Sequence, residues 1–265
     1  MSDFVTWRDA RSAFRLLDEL KQLRHDTLAW RSHLVAGLST LVGAQVGLGG
    51  EAPEGGLLDG SRHVGSVDMG WGTGSDRRVW MQVCERQEPE LDPSDARVAE
   101  LGADSFTCPR HLLATDRSWY RSVIFNEHYR PARINHYLLS VLQVPEHRAV
   151  HFVFLFKAHS DAPFSDRDRH LVHHLHGELG LMWREASAVR LPRRLHQVLT
   201  LFQAGHGEKE VAERLGISPR TVHDYSKALH RRLQVRSRAE LLARARALPQ
   251  PPRLLMQDVD GVGAS

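Results

Sequence analysis

The residues best placed to do chemistry lie near the end of the chain. Arg220, His223, Asp224, Lys227 and Arg231 recur at spacings of three and four, so on a helix they share one stripe. Arg and Lys bond guanine edges or phosphates, and an Asp accepts from cytosine. The opposite side, Val222, Tyr225, Leu229 and Leu233, is a core face. Just upstream, Gly216 suits the left-handed end of one helix, Ser218 the N-cap of the next, and Pro219 its first position. The pattern predicts a helix–turn–helix whose second helix fits a major groove about 12 Å wide. The alternative is a plain helical bundle with a solvated polar face. Turn chemistry, caps, core and charge together favour double-stranded DNA over that alternative.

Four short helices must position this stripe. One over 193–204 carries Val198, Leu201 and Phe202, and Gly205 and Gly207 break it. "EKEVAERL" buries Val211, Ala212 and Leu215. The reading helix follows, and a fourth helix starts at Ser237 with a capping box to Glu240 and buries Leu241, Leu242 and Ala245. Candidate DNA contacts are therefore Arg220, Thr221, His223, Asp224, Lys227 and Arg231, with Lys209 and Arg236 beside them. Arg193, Arg194, Arg232 and Arg238 are placed to neutralise phosphates.

Charge supports the division. Residues 190–248 hold 13 Lys and Arg against 5 Asp and Glu, a net +8, which leaves −5 on the rest of a chain of net +3. A basic end on a mildly acidic body suits a polyanion-binding module on a carrier domain. With 265 residues there is room for two domains. No apolar run approaches the roughly 20 residues of a membrane span, and no secretion signal is evident, so the expectation is a cytoplasmic protein with no membrane partner. Cys84 and Cys108 are far apart and read as reduced structural thiols.

The first 185 residues read as an α+β domain, an antiparallel sheet flanked by helices. Thr6 and Asp9 cap a first helix whose Trp7, Ala10, Phe14, Leu17 and Leu20 form an apolar face, to pack on its own domain or on a second subunit, the former favoured. A second helix from Asp26 buries Trp30, Leu34, Leu38 and Leu41. Val67, Met69 and Trp71 alternate as in a half-buried strand. Ser94 and Gly102 bound a short helix, and "TDRSWYRSVIFNEHYRP" reads as one helix ended by Pro131. "NHYLLSVLQV" and "HRAVHFVFLFKAH" are strands, the second central. "FSDRDRHLVHHLHGELGLMWREA" is a helix capped by Ser165 that buries Leu171, Leu175, Leu179 and Met182. Residues 186–192 read as a linker, 193–248 as the helical module and 249–265 as a disordered tail.

"VLTLFQAGHGEKEVAERLGISPRTVHDYSKALHRRLQVRSRAELLARA" resembles the LuxR-type helix–turn–helix of bacterial transcription regulators. The resemblance implies an all-α four-helix DNA-binding domain, a transcriptional regulator acting as a dimer, and RNA polymerase as a possible partner. It also makes the fourth helix the dimer contact, through Leu241, Leu242 and Ala245. The chain departs from the pattern in the opening of its first helix and at three later positions. Pro192 and Leu195 replace a Thr and a Glu. Gly207 stands for a Ser cap, His223 for a Lys and Tyr225 for a His. His223 gives up a permanent charge and is the one reading position whose charge changes near physiological pH. A sigma-factor region is the alternative for this segment, but the fourth helix argues against it.

In the first domain, "WYRSVIFNEHYRPARINHYLLS" and "FSDRDRHLVHHL" resemble GAF-like input domains of the wider GAF/PAS type. An acyl-homoserine-lactone pocket pattern is not evident. Trp71, Trp80, Phe106, Trp119 and Tyr120 are candidates to line a pocket for a small-molecule signal, weighed against simple core. His170, His173, His174 and His176 read as surface residues beside a buried stripe rather than metal ligands. No nucleophile elbow, P-loop or dinucleotide fingerprint occurs, so neither enzyme activity nor a cofactor is expected. The alternative for this domain is a ligand-free protein-interaction scaffold.

Overall fold

Thr6 caps the first helix with a reciprocal box. Its hydroxyl accepts from the Asp9 N–H at 3.3 Å, and its own N–H donates to Asp9 Oδ2 at 2.9 Å. The computed structural model describes residues 5–23, 26–85, 92–102, 104–188 and 191–247. They divide into two compact units, one ending at Leu181 and the other beginning at Met182.

The first unit is built on five strands, β1 (Val46–Pro53), β2 (Val64–Met69), β3 (Phe106–Pro109), β4 (His136–Val144) and β5 (Ala149–Lys157). All neighbours are antiparallel, in the order β2-β1-β5-β4-β3. The expected α+β class with an antiparallel sheet is what the chain adopts. β5 is central and buried along nearly its whole length, as its unbroken apolar run demands.

Period-two alternation gives the sheet two different faces. His151, Val153 and Leu155 of β5 share a face with Ser140 and Leu138 of β4. This face is covered by α2 (Thr27–Val42) and α7 (Asp166–Ala188). Gly47 and Gly49 of β1 let α2 approach. A Cβ on either would lie within 2.8 Å of Val35. The other face, with Phe152, Phe154, Phe156, Tyr137, Leu139 and Leu48, carries the main aromatic core. Around it lie α3 (Gly74–Glu85), α4 (Asp95–Leu101), α5 (Arg110–Leu113), α6 (Asp116–Trp119) and a π-helical turn, Phe125–Tyr129.

Helix α1 (Trp7–Gln22) corrects the first expectation. It buries Asp9, Leu16 and Leu20, while Trp7 is 75% and Phe14 67% exposed. Two contacts set its rotation. Asp9 turns inward to meet Arg167 of α7, and Leu16 fills the space over Gly37 of α2, where a Cβ would sit 2.4 Å from Leu16 Cδ1. Of the apolar stripe, Leu20 turns inward, Ala10 and Leu17 are half-buried, and Trp7 and Phe14 face outward.

The single helix expected over 115–131 is two pieces. The Ser122 hydroxyl donates to the Trp119 carbonyl at 2.7 Å and accepts from the Phe125 N–H at 3.2 Å. A serine that bonds local backbone in this way competes with the helical ladder. Trp71 lies just beyond β2 rather than in it, and α3 fills a stretch with no clear signal. Gly102 ends α4 with an ordinary φ of −66°. Helix α7 runs on to Ala188, past the expected domain end at residue 185. The expected tail, residues 249–265, lies outside the described residues.

The second unit contains α8 (Arg193–Gln203), α9 (Glu208–Leu215), α10 (Pro219–Leu233) and α11 (Arg238–Ala247). Val198, Phe202, Val211, Val222, Leu229 and Leu241 form its core. Among the described residues no helix is long and apolar enough to cross a membrane.

Candidate functional site

The second unit holds its charged helix by local chemistry. Gly216 ends α9 at φ 62°, a conformation in which a side chain is strained. The Ser218 hydroxyl accepts from the Thr221 N–H at 3.1 Å, and Pro219 takes the first helical position, where its missing N–H costs nothing. Val222, Ser226, Leu229 and Leu233 are buried, and Tyr225 packs half-buried against the same core. With that face fixed inward, Arg220, His223, Asp224, Lys227 and Arg231 are all exposed.

Availability separates these residues. Among the described residues Arg220, Asp224, Lys227 and Arg231 have no ion-pair or side-chain hydrogen-bond partner. His223 does: its Nδ1 lies 3.4 Å from Glu208 Oε2, at the first turn of α9. Sequence reasoning missed this tether, since the two residues lie 15 positions apart. The Thr221 hydroxyl is 2.8 Å from that of Ser218 and serves the cap. Lys209 and Arg236 are exposed. Arg238 is committed elsewhere, stacked 4.7 Å over the Phe202 ring and bonded to the His206 carbonyl.

Helix α11 starts with a variant of the expected box. Ser237 Oγ accepts from the Glu240 N–H at 3.1 Å, but the Glu240 carboxylate takes the Arg236 N–H, one residue earlier than in the usual pattern. Leu241 and Ala245 are buried in the unit's own core, at 0% and 2% exposure, and Leu242 is half-buried.

The first unit contains a cavity of about 560 Å³ on the aromatic face of the sheet. Leu48, Leu57, Val98, Ile124, Leu139 and Phe154 supply apolar walls. Polar groups gather at one side. The Ser94 hydroxyl donates to Asp92 Oδ1 at 2.6 Å and accepts from the Tyr137 hydroxyl at 2.7 Å. That duty explains why Ser94, at the N-cap of α4, makes no capping bond. Burial raises the Asp92 carboxyl, and burial together with the Asp92 charge raises Asp95 to about 7. Two atoms of lining residues, Trp80 Nε1 and His128 Nε2, are buried with no hydrogen-bond partner among the described residues. Unpaired buried polar atoms are costly and rare. Here the residues that carry them line a partly open space large enough for a small molecule.

Of the five aromatics expected to line a pocket, Trp80 is among the residues that line this cavity. Trp119 is fully buried, its indole N–H donated to Asn135 Oδ1 at 3.0 Å. Tyr120 accepts from the same amide at 3.1 Å. Phe106 lies in the core of β3, and Trp71 packs beside Trp80 while bonding Asp68. Having a large ring did not separate core from cavity. The signal that could have found the site was "DPSD", two carboxylates around a serine before an apolar helix.

The histidines of α7 also need correction. His173 and His174 are exposed, but His176 is 2% exposed. Its Nδ1 lies 2.8 Å from Ser140 Oγ and its Nε2 2.8 Å from His151 Nδ1. Ser140 in turn meets Thr107 at 2.7 Å. A Ser–His–His relay resembles the parts of a nucleophile, but Ser140 is 1% exposed and faces the helix layer, where no substrate reaches it. Burial holds His176 down at about 3 and His151 well below the usual histidine range, with each further depressed by a neighbouring histidine. Both are neutral and structural. Among the described residues no group of three or more His, Cys, Asp or Glu is placed to hold a metal. Cys108 is buried, with its thiol pushed up by that burial.

Residues 190–245 match the family model described as bacterial regulatory proteins, luxR family. They are a LuxR-type helix–turn–helix domain. No curated protein matches the chain. Among solved structures, a crystal structure of SdiA from Escherichia coli is 14% identical, covering 89% of this chain and 96% of that one, at a TM-score of 0.37. SdiA in complex with octanoyl-rac-glycerol is also 14% identical, covering 92% and 97%, at a TM-score of 0.43.

Proposed function

We propose that this chain, whose residues 190–245 are a LuxR-type helix–turn–helix domain, is a transcriptional regulator that reads double-stranded DNA with α10 and takes a small-molecule signal in its first unit. The carrying observation is the outward stripe Arg220, Asp224, Lys227 and Arg231, uncommitted to any partner among the described residues and backed by the cap and core beneath it. Arg220 and Asp224 lie in the first half of α10, the part of a recognition helix that contacts base edges. Lys227 and Arg231 continue along the groove, and Lys209 and Arg236 flank it as phosphate contacts. The balance of Asp224 among cations favours a cytosine-bearing step.

The input reading rests on the cavity. Its walls suit an apolar body, and its polar side asks for a head group of two kinds. Trp80 Nε1 donates, so it requires an acceptor such as a carbonyl oxygen. Asp92 accepts, so it requires an N–H or O–H. A linear or compact molecule with an amide-like head and an apolar tail meets both. Dimerisation on DNA follows from the module, with half-sites about one helical turn apart. Leu241 and Ala245 are core residues, so a contact through α11 falls to Leu242 and the exposed Ala239, Ala243 and Arg244.

The test is selection of bound duplexes from a random DNA pool by the full chain. An enriched, two-fold symmetric motif supports the reading. Recovery of unenriched sequence with only salt-dependent binding contradicts it.

A further inference from the structure

We propose that the molecule taken by the cavity of the first unit is an organic cation, an apolar body whose head carries a protonated amine held by Asp92 and Asp95. The proposal rests on the reading of this cavity as the input site. Three carboxylates line it, Asp59, Asp92 and Asp95, and no Lys or Arg is among its lining residues. The other titratable groups on the lining are His63, His128 and Tyr137. Burial holds His63 down and Tyr137 well up, so neither carries charge near neutral pH. Burial, and then the Asp92 charge, raise Asp95 to about 7, and no basic group among the described residues offsets either carboxyl. A cavity of this sign repels anions and gathers cations. The rings of Trp80 and Phe154 among its walls also suit a cationic head rather than an anionic one.

Hydrogen-bond capacity points the same way by a separate route. His128 lines the cavity and is 2% exposed. Its Nδ1 lies 3.2 Å from the Val79 carbonyl. A carbonyl only accepts, so Nδ1 carries the proton and the neutral ring leaves a lone pair at Nε2. That atom is buried with no partner among the described residues. On the carboxylate side, the Ser94 N–H and hydroxyl both donate to Asp92 Oδ1, at 2.8 and 2.6 Å, and the Tyr137 hydroxyl donates to Ser94 in turn. These bonds orient Asp92 and leave its Oδ2, with the Asp95 carboxylate, to donors from outside. The unpartnered buried donor among these lining residues is Trp80 Nε1. A secondary amide brings a single N–H, whereas an ammonium brings three and the opposite charge. A carbonyl next to the amine serves Trp80.

Displacement of the apolar fluorescent probe Nile red from the full chain at about pH 8 tests this. Three competitors share one apolar tail: octylamine, cationic at this pH, neutral octanamide and anionic octanoate. Octylamine should displace the probe at concentrations about tenfold lower than octanamide and about a hundredfold lower than octanoate. Asp95→Asn should cut the preference for octylamine over octanamide to about twofold, and Asp95→Glu should keep it. The preference is a ratio within each variant, so a loss of overall stability does not imitate the effect. Octanamide or octanoate displacing the probe from the wild type as readily as octylamine overturns the cation and leaves the input reading standing. A preference that survives Asp95→Asn, or is lost equally in Asp95→Glu, also overturns it. A wild type that binds no Nile red overturns the input reading and the cation with it.

Discussion

His176 of α7 and His151 of β5 share a 2.8 Å hydrogen bond inside a layer where neither is more than 2% exposed. The pair joins the helix to the central strand and extends through Ser140 to Thr107 of β3. Every ring in this chain of contacts is neutral, because burial has driven both histidines far below the ordinary value near 6.5.

That depression makes the first unit sensitive to acid. Folded His176 binds no proton until about pH 3, whereas an unfolded histidine binds one from about pH 6.5 downward, and burial shifts His151 in the same direction. Between these limits the unfolded state holds more protons, so stability rises with pH and is lost as pH falls through the window. His176 accounts for about 2 kcal/mol between pH 7.5 and 5. Asp95, raised to about 7, works in the opposite direction across the same window, so the clean readout is a difference between variants. Urea unfolding of the wild type and of His176→Gln at both pH values should show the gap between them narrowing by about 2 kcal/mol at pH 5. A gap that does not change with pH contradicts a neutral buried His176.

Arg31 of α2 and Glu51 of β1 form an ion pair with both side chains essentially inaccessible, and Arg31 also bonds the Gly65 carbonyl of β2. Taking one charge away leaves the other buried, which costs about 3 kcal/mol or more. Glu51→Gln should therefore destabilise the first unit by about that amount, and Arg31→Met with Glu51→Leu should recover most of it. Denaturation midpoints measure both. A single variant as stable as the wild type would show that the pair is solvated.

Filling the cavity tests the input reading without knowledge of the signal. Leu139 lines the space and is 1% exposed. Nile red, an apolar fluorescent probe, should bind the wild type at one site, and Leu139→Trp should weaken that binding by about tenfold or more. Trp80→Phe should keep the apolar probe and lose any co-purified ligand whose carbonyl depends on the indole N–H, as native mass spectrometry would show. Unchanged probe binding in Leu139→Trp would place the probe elsewhere.

The tether between His223 and Glu208 predicts a salt effect. A Lys at 223 carries a permanent charge toward the backbone of DNA. His223→Lys should raise affinity for all duplexes and steepen the dependence of log K on log salt by about one unit. A slope equal to the wild type would mean that position 223 faces no phosphate.

What was legible in the sequence follows from how local the determinants are. Helix α10 could be read with its cap, its proline and its two faces, because all of them act within one turn of the chain. The central strand β5 was legible because a buried strand needs an unbroken apolar run. The cavity was not, because its polar side joins Asp92 and Ser94 to Tyr137 across more than 40 positions. Helix α1 shows a subtler limit. The spacing of Trp7 and Phe14 was visible, but whether that stripe turns inward is decided by Arg167 and Gly37, both distant in the chain. His176 was read as surface for the same reason, since its partners Ser140 and His151 come from two strands.

The reading role of α10 is tested most directly by the affinity of Lys227→Ala and Arg231→Ala for the duplex selected by the wild type, measured at one fixed salt concentration. Both side chains point outward from an intact core, so the fold and the melting temperature should be unchanged. Binding should fall by about tenfold for each, the scale of one lost groove or phosphate contact. Wild-type affinity in both variants would contradict the claim that this helix enters the groove.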